Sequence, residues 1–310
     1  MALLDELDLP AESRTPSGAL WGRLRADRAA LTGLVIVTAL VLVALAAPLL
    51  AAWEGQDPDA FHSGLLDSAA GGVPRGAFGG VSAHHWLGVE PGTGRDVFAR
   101  AVYGARVSLF IALTATAGQV LLGILVGMAA GLGGTWVDGV LGRTIDLSIS
   151  FPDLLLALAL MAVVPASVPR PLILMAVIAL VGWGATARMV RGQTLSLKTR
   201  DFVAAARLSG AGRGRIAGRE ILPGLMSPLL VVAAFKIPSN MVSEAGLSFL
   251  GAGVRPPTPS WGQMLSSAST WFRSDPLYVL VPAALLVVSL LAFMLLAEGV
   301  RRAIDPRNLA

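Results

Sequence analysis

Lys236, Asn240 and Glu244 stand in the run Leu225 to Leu250, which is otherwise almost wholly apolar. At i, i+4 and i+8 they fall within about 80° of one helix face. A charge near a bilayer centre costs several kcal/mol unless it meets protein or water. Such a face either lines a polar path for a solute or makes an ion pair or hydrogen bonds with a neighbouring helix. Pro238, between them, removes a donor and frees the carbonyl of Ala234, which suits a path. Lys236, Asn240 and Glu244 are the candidates for it, with Lys236 foremost.

Catalytic chemistry finds no foothold. The lysines are Lys198 and Lys236, in Ser-Leu-Lys-Thr and Ala-Phe-Lys-Ile, so no Gly-x-x-x-x-Gly-Lys-Ser/Thr loop exists to hold ATP. There is no Gly-x-Ser-x-Gly elbow. The lack of cysteine excludes disulfides, thiolate metal ligands and a cysteine nucleophile. His62, His84 and His85 lack the His-x-x-x-His spacing of a helical metal site and read as solvated or packing residues. The expectation is a non-enzyme without metal or cofactor.

One polar loop offers a different kind of chemistry. It runs from Thr199 through Asp201, Ala204, Ala205, Ala206 and Gly210 to Ile216, Leu222 and Pro223. The small residues permit close approach to a partner's backbone, and Pro223 is expected to stop the preceding helix.

The elements that position these residues follow from composition. With 310 residues, 55% hydrophobic, 14% charged and a mean hydropathy of +0.70, the chain has too little polar surface for a soluble globule. A net charge of +4 does not signal nucleic acid, because membrane proteins gain basic balance from cytoplasmic Arg and Lys. Six stretches approach the ~20 apolar residues that a membrane-spanning helix needs: 31–50, 107–132, 145–164, 172–190, 225–250 and 279–297. A cytoplasmic N-terminus places 16 of the 24 basic residues inside, so both termini are expected in the cytoplasm. The expected organisation is a polar tail at 1–30, a first transmembrane helix at 31–50, an extracytoplasmic segment at 51–106, a five-helix core at 107–300 containing a cytoplasmic loop at 191–223, and a tail at 301–310. Gly123, Gly127 and Gly131 form a small-xxx-small register for helix packing, and Gly131 to Gly139 reads as a tight turn with Trp136 at the interface. The lack of an internal repeat weighs against an inverted-repeat secondary transporter.

The polar loop resembles the coupling loop of ABC importer permeases, whose pattern is Glu-Ala-Ala, three residues, Gly, and about a dozen residues to Leu-Pro. Ala204 occupies the glutamate position; Ala205, Ala206, Gly210, Ile216, Leu222 and Pro223 match, and Asp201 could take part of the missing carboxylate's role. Further blocks are similar to the C-type subunit of dipeptide, oligopeptide and nickel importers: His85-Trp86-Leu87-Gly88, Gly94-Arg95-Asp96-Val97, Tyr103 to Leu109, Trp136-Val137-Asp138, Phe151-Pro152, Trp183, Glu244-Ala245, Leu247 to Gly251, Pro256 to Gly262 and Asp305-Pro306-Arg307. Gly88-Val89-Glu90 departs from the usual Gly-Thr-Asp, which predicts an altered docking surface outside.

The resemblance implies an all-α membrane protein of six transmembrane helices with the type I ABC importer permease fold, in the cytoplasmic membrane. It implies as partners a homologous B-type permease subunit, two cytoplasmic ABC ATPase subunits or domains, an extracytoplasmic substrate-binding protein and the lipid bilayer, without nucleic acid. Peptides are the expected cargo, with nickel or another small solute as the alternative. An ion-coupled secondary transporter, with Lys236 and Glu244 as its titrating pair, and a purely structural membrane subunit are the readings from other classes.

Overall fold

In hydrocarbon every backbone N–H and C=O must be bonded within its own segment, so the apolar runs become helices. The computed structural model describes residues 16–165 and 167–304. Residues 1–15 of the expected N-terminal tail, and 305–310 with the Asp305-Pro306-Arg307 block, lie outside the described residues.

The chain opens with α1 (Pro16–Ala26), α2 (Arg28–Leu45) and α3 (Ala47–Glu54). Asp27 starts α2 by accepting from the N–H groups of Ala29 and Ala30, two donors that lack partners in a first turn. Part of the expected N-terminal tail is therefore helical. Residues 56–96 form an irregular segment with a small hairpin, β1 (Leu66–Asp67) against β2 (Val73–Pro74). Then come α4 (Val97–Leu132), α5 (Thr135–Ser150), α6 (Asp153–Val163), α7 (Arg170–Gly182) and α8 (Gly184–Leu197). The order continues with α9 (Asp201–Leu208), α10 (Arg213–Arg215), a π-helical turn at Ile216–Ile221, α11 (Leu222–Phe249), α12 (Trp261–Ala268) and α13 (Pro276–Ile304).

Among the described residues four helices are long and apolar enough to cross a membrane: Arg28–Leu45, Val97–Leu132, Arg213–Phe249 and Pro276–Ile304. The pairs α5–α6 and α7–α8 bring the number to six if each bent pair is one span. The first pair bends by 92° at Phe151-Pro152 and the second by 43° at Trp183. Pro152 cannot donate a helical hydrogen bond and pushes Phe151 out of the α region, where φ −89°, ψ 139° is observed.

Helix α4, 36 residues and roughly 54 Å long at 1.5 Å per residue, is the central strut. A Cβ on Gly123, Gly127 or Gly131 would come within 2.6 Å of Thr186, Ala187 O or Thr194 respectively, so the glycine register lets α4 and α8 pack backbone to backbone. At the far end of this contact Lys198 Nζ donates to Gly131 O at 2.8 Å, satisfying a carbonyl in the last turn of α4. Arg191 holds Asp138 with two bonds of 2.5 and 2.8 Å and Arg188 holds Asp146 at 2.6 Å, tying α5 to α8.

Arg23 Nη1 donates to Ala303 O at 2.9 Å and Arg302 to Asp27 at 2.9 Å, joining the start of the first span to the end of the last. Leu45 meets Arg106 in one groove, so α2 and α4 run in opposite senses. The start of α2, the end of α13 and the 191–223 loop therefore share one end of the bundle, and the 51–106 segment occupies the other.

Candidate functional site

The loop at 191–223 is structured, carrying α9, α10 and the π turn. α9 buries one side chain, Val203, which joins Val190, Ile216, Ile221, Leu225 and Leu229 in an apolar cluster under the loop. Asp201 lies exposed in the first turn of α9, where a negative charge favours the helix dipole. Ala204 and Ala205 face solvent and Ala206 is half-buried, while Phe202 and Leu208 project outward at 45% and 90% exposure. Large apolar side chains so exposed beside alanines form a surface suited to a protein partner.

Gly210 turns the chain out of α9 with φ +79°, a left-handed value that disfavours any side chain. Nothing lies within 4 Å of where its Cβ would be, so within this chain the glycine answers a backbone conformation, not a close contact. Pro223 does not stop the preceding helix, as the sequence suggested. It occupies the first turn of α11, where its missing N–H is harmless, and the π turn leads into it without a break. Leu222 is half-buried beside it and Ile216 is buried as an anchor of the cluster.

The three polar residues of α11 have different surroundings. Glu244 is fully buried and accepts from Ser108 Oγ at 2.9 Å and Ser248 Oγ at 2.8 Å. Asn240 donates to Thr116 Oγ1 at 2.8 Å and to Gln119 Oε1 at 3.1 Å, and accepts from Gln119 Nε2 at 3.0 Å, so it bridges α11 to α4. Lys236 is partly exposed and donates to Gly182 O at 2.9 Å, at the bend between α7 and α8. Eight residues put Lys236 and Glu244 about 12 Å apart along the helix. Each has its own partners, so they are not an ion pair. Lys236 and Asn240 line a small cleft of about 30 Å³ with Gln119, Asp153, Ser239 and Ser243, while Glu244 is enclosed by the chain itself.

The most extensive polar cluster among the described residues joins the 56–96 segment to the first turns of α4 and α13, and it was not foreseen. Glu90 is 1% exposed and accepts from Arg95 Nε at 2.8 Å, Arg100 Nε at 2.6 Å, Thr93 Oγ1 at 2.9 Å and Tyr278 OH at 2.8 Å. Arg100 also donates to Pro58 O, Pro257 O and Gln263 Oε1, so one guanidinium joins the 51–96 segment, α4, the 250–260 loop and α12. Glu90 is itself buried and clamps the fold, so its carboxylate is not presented on the surface of this segment. Residue type gave no signal of this, since the partners stand up to 188 positions apart.

Beside it Asp96 caps α4 through Ala99 N at 2.7 Å and meets His85 Nδ1 at 2.8 Å. Glu54 Oε1 accepts from Trp86 N at 2.7 Å, while its buried Oε2 has no hydrogen-bond donor among the described residues. Burial, with Asp96 next to it, pushes the Glu54 carboxyl up to about 7. His62 contacts Gly94 O and the His85 ring, and His84 is exposed. Among the described residues no group of three His, Cys, Asp or Glu could hold a metal ion.

The fold is similar to that of a chain of the MetNI methionine ABC transporter, with a TM-score of 0.55 and 17% identity over 66% of this chain and 96% of that one. This chain belongs to the family described as the binding-protein-dependent transport system inner membrane component, which matches residues 120–309; the N-terminal transmembrane domain of oligopeptide transport permease C matches residues 15–66. It is 35% identical to the dipeptide transport system permease protein DppC of Alkalihalophilus pseudofirmus, over 92% of this chain and 88% of the relative. It is also 35% identical to the glutathione transport system permease protein GsiD of Shigella boydii, over 99% and 96%. The protein is thus a multi-pass inner-membrane permease of a binding-protein-dependent ABC importer. The family is one of transport subunits, and it implies a paired permease, an ATPase and a substrate-binding protein as partners.

Proposed function

We propose that this chain is half of the membrane channel of a peptide importer, with a B-type permease subunit as the other half. The observation that carries the cargo is the extent of the similarity: relatives named for dipeptide and glutathione transport align with more than nine-tenths of this chain. Both termini lie in the cytoplasm in this reading. The arginine-rich 191–223 loop, at the same end of the bundle, then faces two ATPase subunits or domains, and the 51–106 segment faces the binding protein.

ATP-driven closure of the ATPases pushes on α9 through Phe202, Leu208 and the face formed by Asp201, Ala204 and Ala205. Val203, set in the apolar cluster with Ile216 and Leu225, passes the movement to α8 and α11. The helices then alternate between outward-open and inward-open states. Lys236, beside the bend at Gly182, and Asn240 lie along the path, with Glu244 behind them holding α11 to α4.

The complete complex, reconstituted in liposomes with its binding protein, tests this directly. ATP-dependent accumulation of a radiolabelled dipeptide is the expected result. Accumulation of nickel in its place refutes the cargo. Uptake driven by an ion gradient without ATP refutes the mechanism.

A further inference from the structure

We propose that the groove between α2 and α4 binds an anionic phospholipid, with its phosphate on Arg106 and an acyl chain along the apolar wall beneath. The groove encloses about 510 Å³ and is lined by Val41 and Leu45 of α2, Phe110 and Leu113 of α4, Pro171 at the start of α7, and Arg106. That volume falls within the roughly 300–1,000 Å³ typical of ligand clefts.

The placement of Arg106 decides the class of ligand. Leu45 ends a membrane-spanning helix and Pro171 begins another, so Arg106 sits level with one edge of the hydrocarbon. Leu113 lies seven residues further along α4, giving the groove about 10 Å of depth below the charge. Arg100, six residues earlier, is buried and bonded on all sides by Glu90, Gln263 and two carbonyls. Arg106 is exposed and makes no ion pair or hydrogen bond among the described residues. A guanidinium at the edge of hydrocarbon is stable when its head reaches the headgroup layer, and its planar fork matches two phosphate oxygens. An apolar trough leading inward from that charge is complementary to a phosphate ester carrying a hydrocarbon tail, and an anionic headgroup adds attraction.

Native mass spectrometry of the detergent-solubilised full complex, equilibrated with phosphatidylglycerol or phosphatidylcholine, reads this without reference to transport. The wild type is expected to retain phosphatidylglycerol preferentially. Arg106→Gln should reduce that preference about tenfold, as loss of one charge-assisted hydrogen bond implies. Leu45→Trp, which fills the mouth of the groove from an exposed position, should reduce retention of both lipids. Unchanged retention in Arg106→Gln overturns the proposal. So does efficient cross-linking of a cysteine placed at Leu113 to the partner permease subunit in the intact complex, because the groove is then a protein interface.

Discussion

Replacing Glu54 with glutamine should remove a pH-dependent part of this protein's stability. Burial holds the Glu54 carboxyl up at about 7, against an ordinary value of 4.5. Between those values the folded protein keeps a proton that the unfolded chain has released. Stability from this group is therefore complete below about pH 4.5, falls as pH rises, and is lost above about 7. The full shift corresponds to about 3–4 kcal/mol at ~1.4 kcal/mol per unit; screening by nearby water leaves on the order of 1–2 kcal/mol. At roughly 2–4 °C per kcal/mol that is a melting shift of a few degrees. Glutamine keeps the acceptor for Trp86 N–H and offers Asp96 a permanent donor in place of the titrating one. Melting temperatures of the two complexes in detergent, at pH 5 and pH 8, give the test. Their difference cancels the pH dependence that the two proteins share. The expected result is near equality at pH 5 and a more stable variant at pH 8. A difference that does not change with pH, or a variant less stable than the wild type at pH 8, refutes the reasoning.

Gly127→Leu should separate α4 from α8, because even a Cβ would lie 2.6 Å from Ala187 O; a loss of about 1–3 kcal/mol or failure to assemble is expected in detergent melting and yield. Gly210→Leu forces a side chain into φ +79° at a cost of about 1–2 kcal/mol, confined to the loop, so the membrane fold should persist while ATP hydrolysis uncouples from uptake; a variant that transports like the wild type removes the loop from the coupling step. Lys236→Met should preserve assembly yet alter the rate or charge preference of uptake, and since Glu244 has its own hydroxyl partners, adding Glu244→Gln should give no rescue of stability; wild-type uptake by Lys236→Met excludes the path. In this cysteine-free chain, single cysteines at exposed Ser82 and Ser269 should react with an impermeant thiol reagent outside intact cells and one at Ser209 should not; outside labelling at Ser209 reverses the proposed topology.

The spans were legible in the sequence because hydrocarbon imposes one rule on every segment: long apolar runs must be helices that bond their own backbone. Pro152 announced a break, and Gly123, Gly127 and Gly131 announced a packing face, since both effects act within one helix. The size of the 92° bend was not legible, because the residues on which α6 comes to rest belong to α7 and α11. The loop motif was readable as a pattern, but its packing was not: that Val203 is the buried anchor of α9 and that Pro223 begins a helix instead of ending one depends on the cluster from α8 and α11 beneath it. The same holds for the polar residues. Their spacing placed Lys236, Asn240 and Glu244 on one face, yet only packing gave Glu244 its two serine partners and left Lys236 at the cleft. Glu90 shows the limit most sharply. Glu90 was read only as part of a departure in a glycine-rich segment, and it becomes the buried centre of a clamp because folding brings Arg95, Arg100 and Tyr278 to it. Local sequence fixes which backbone bonds form; the environment of a charge is decided by residues distant in sequence.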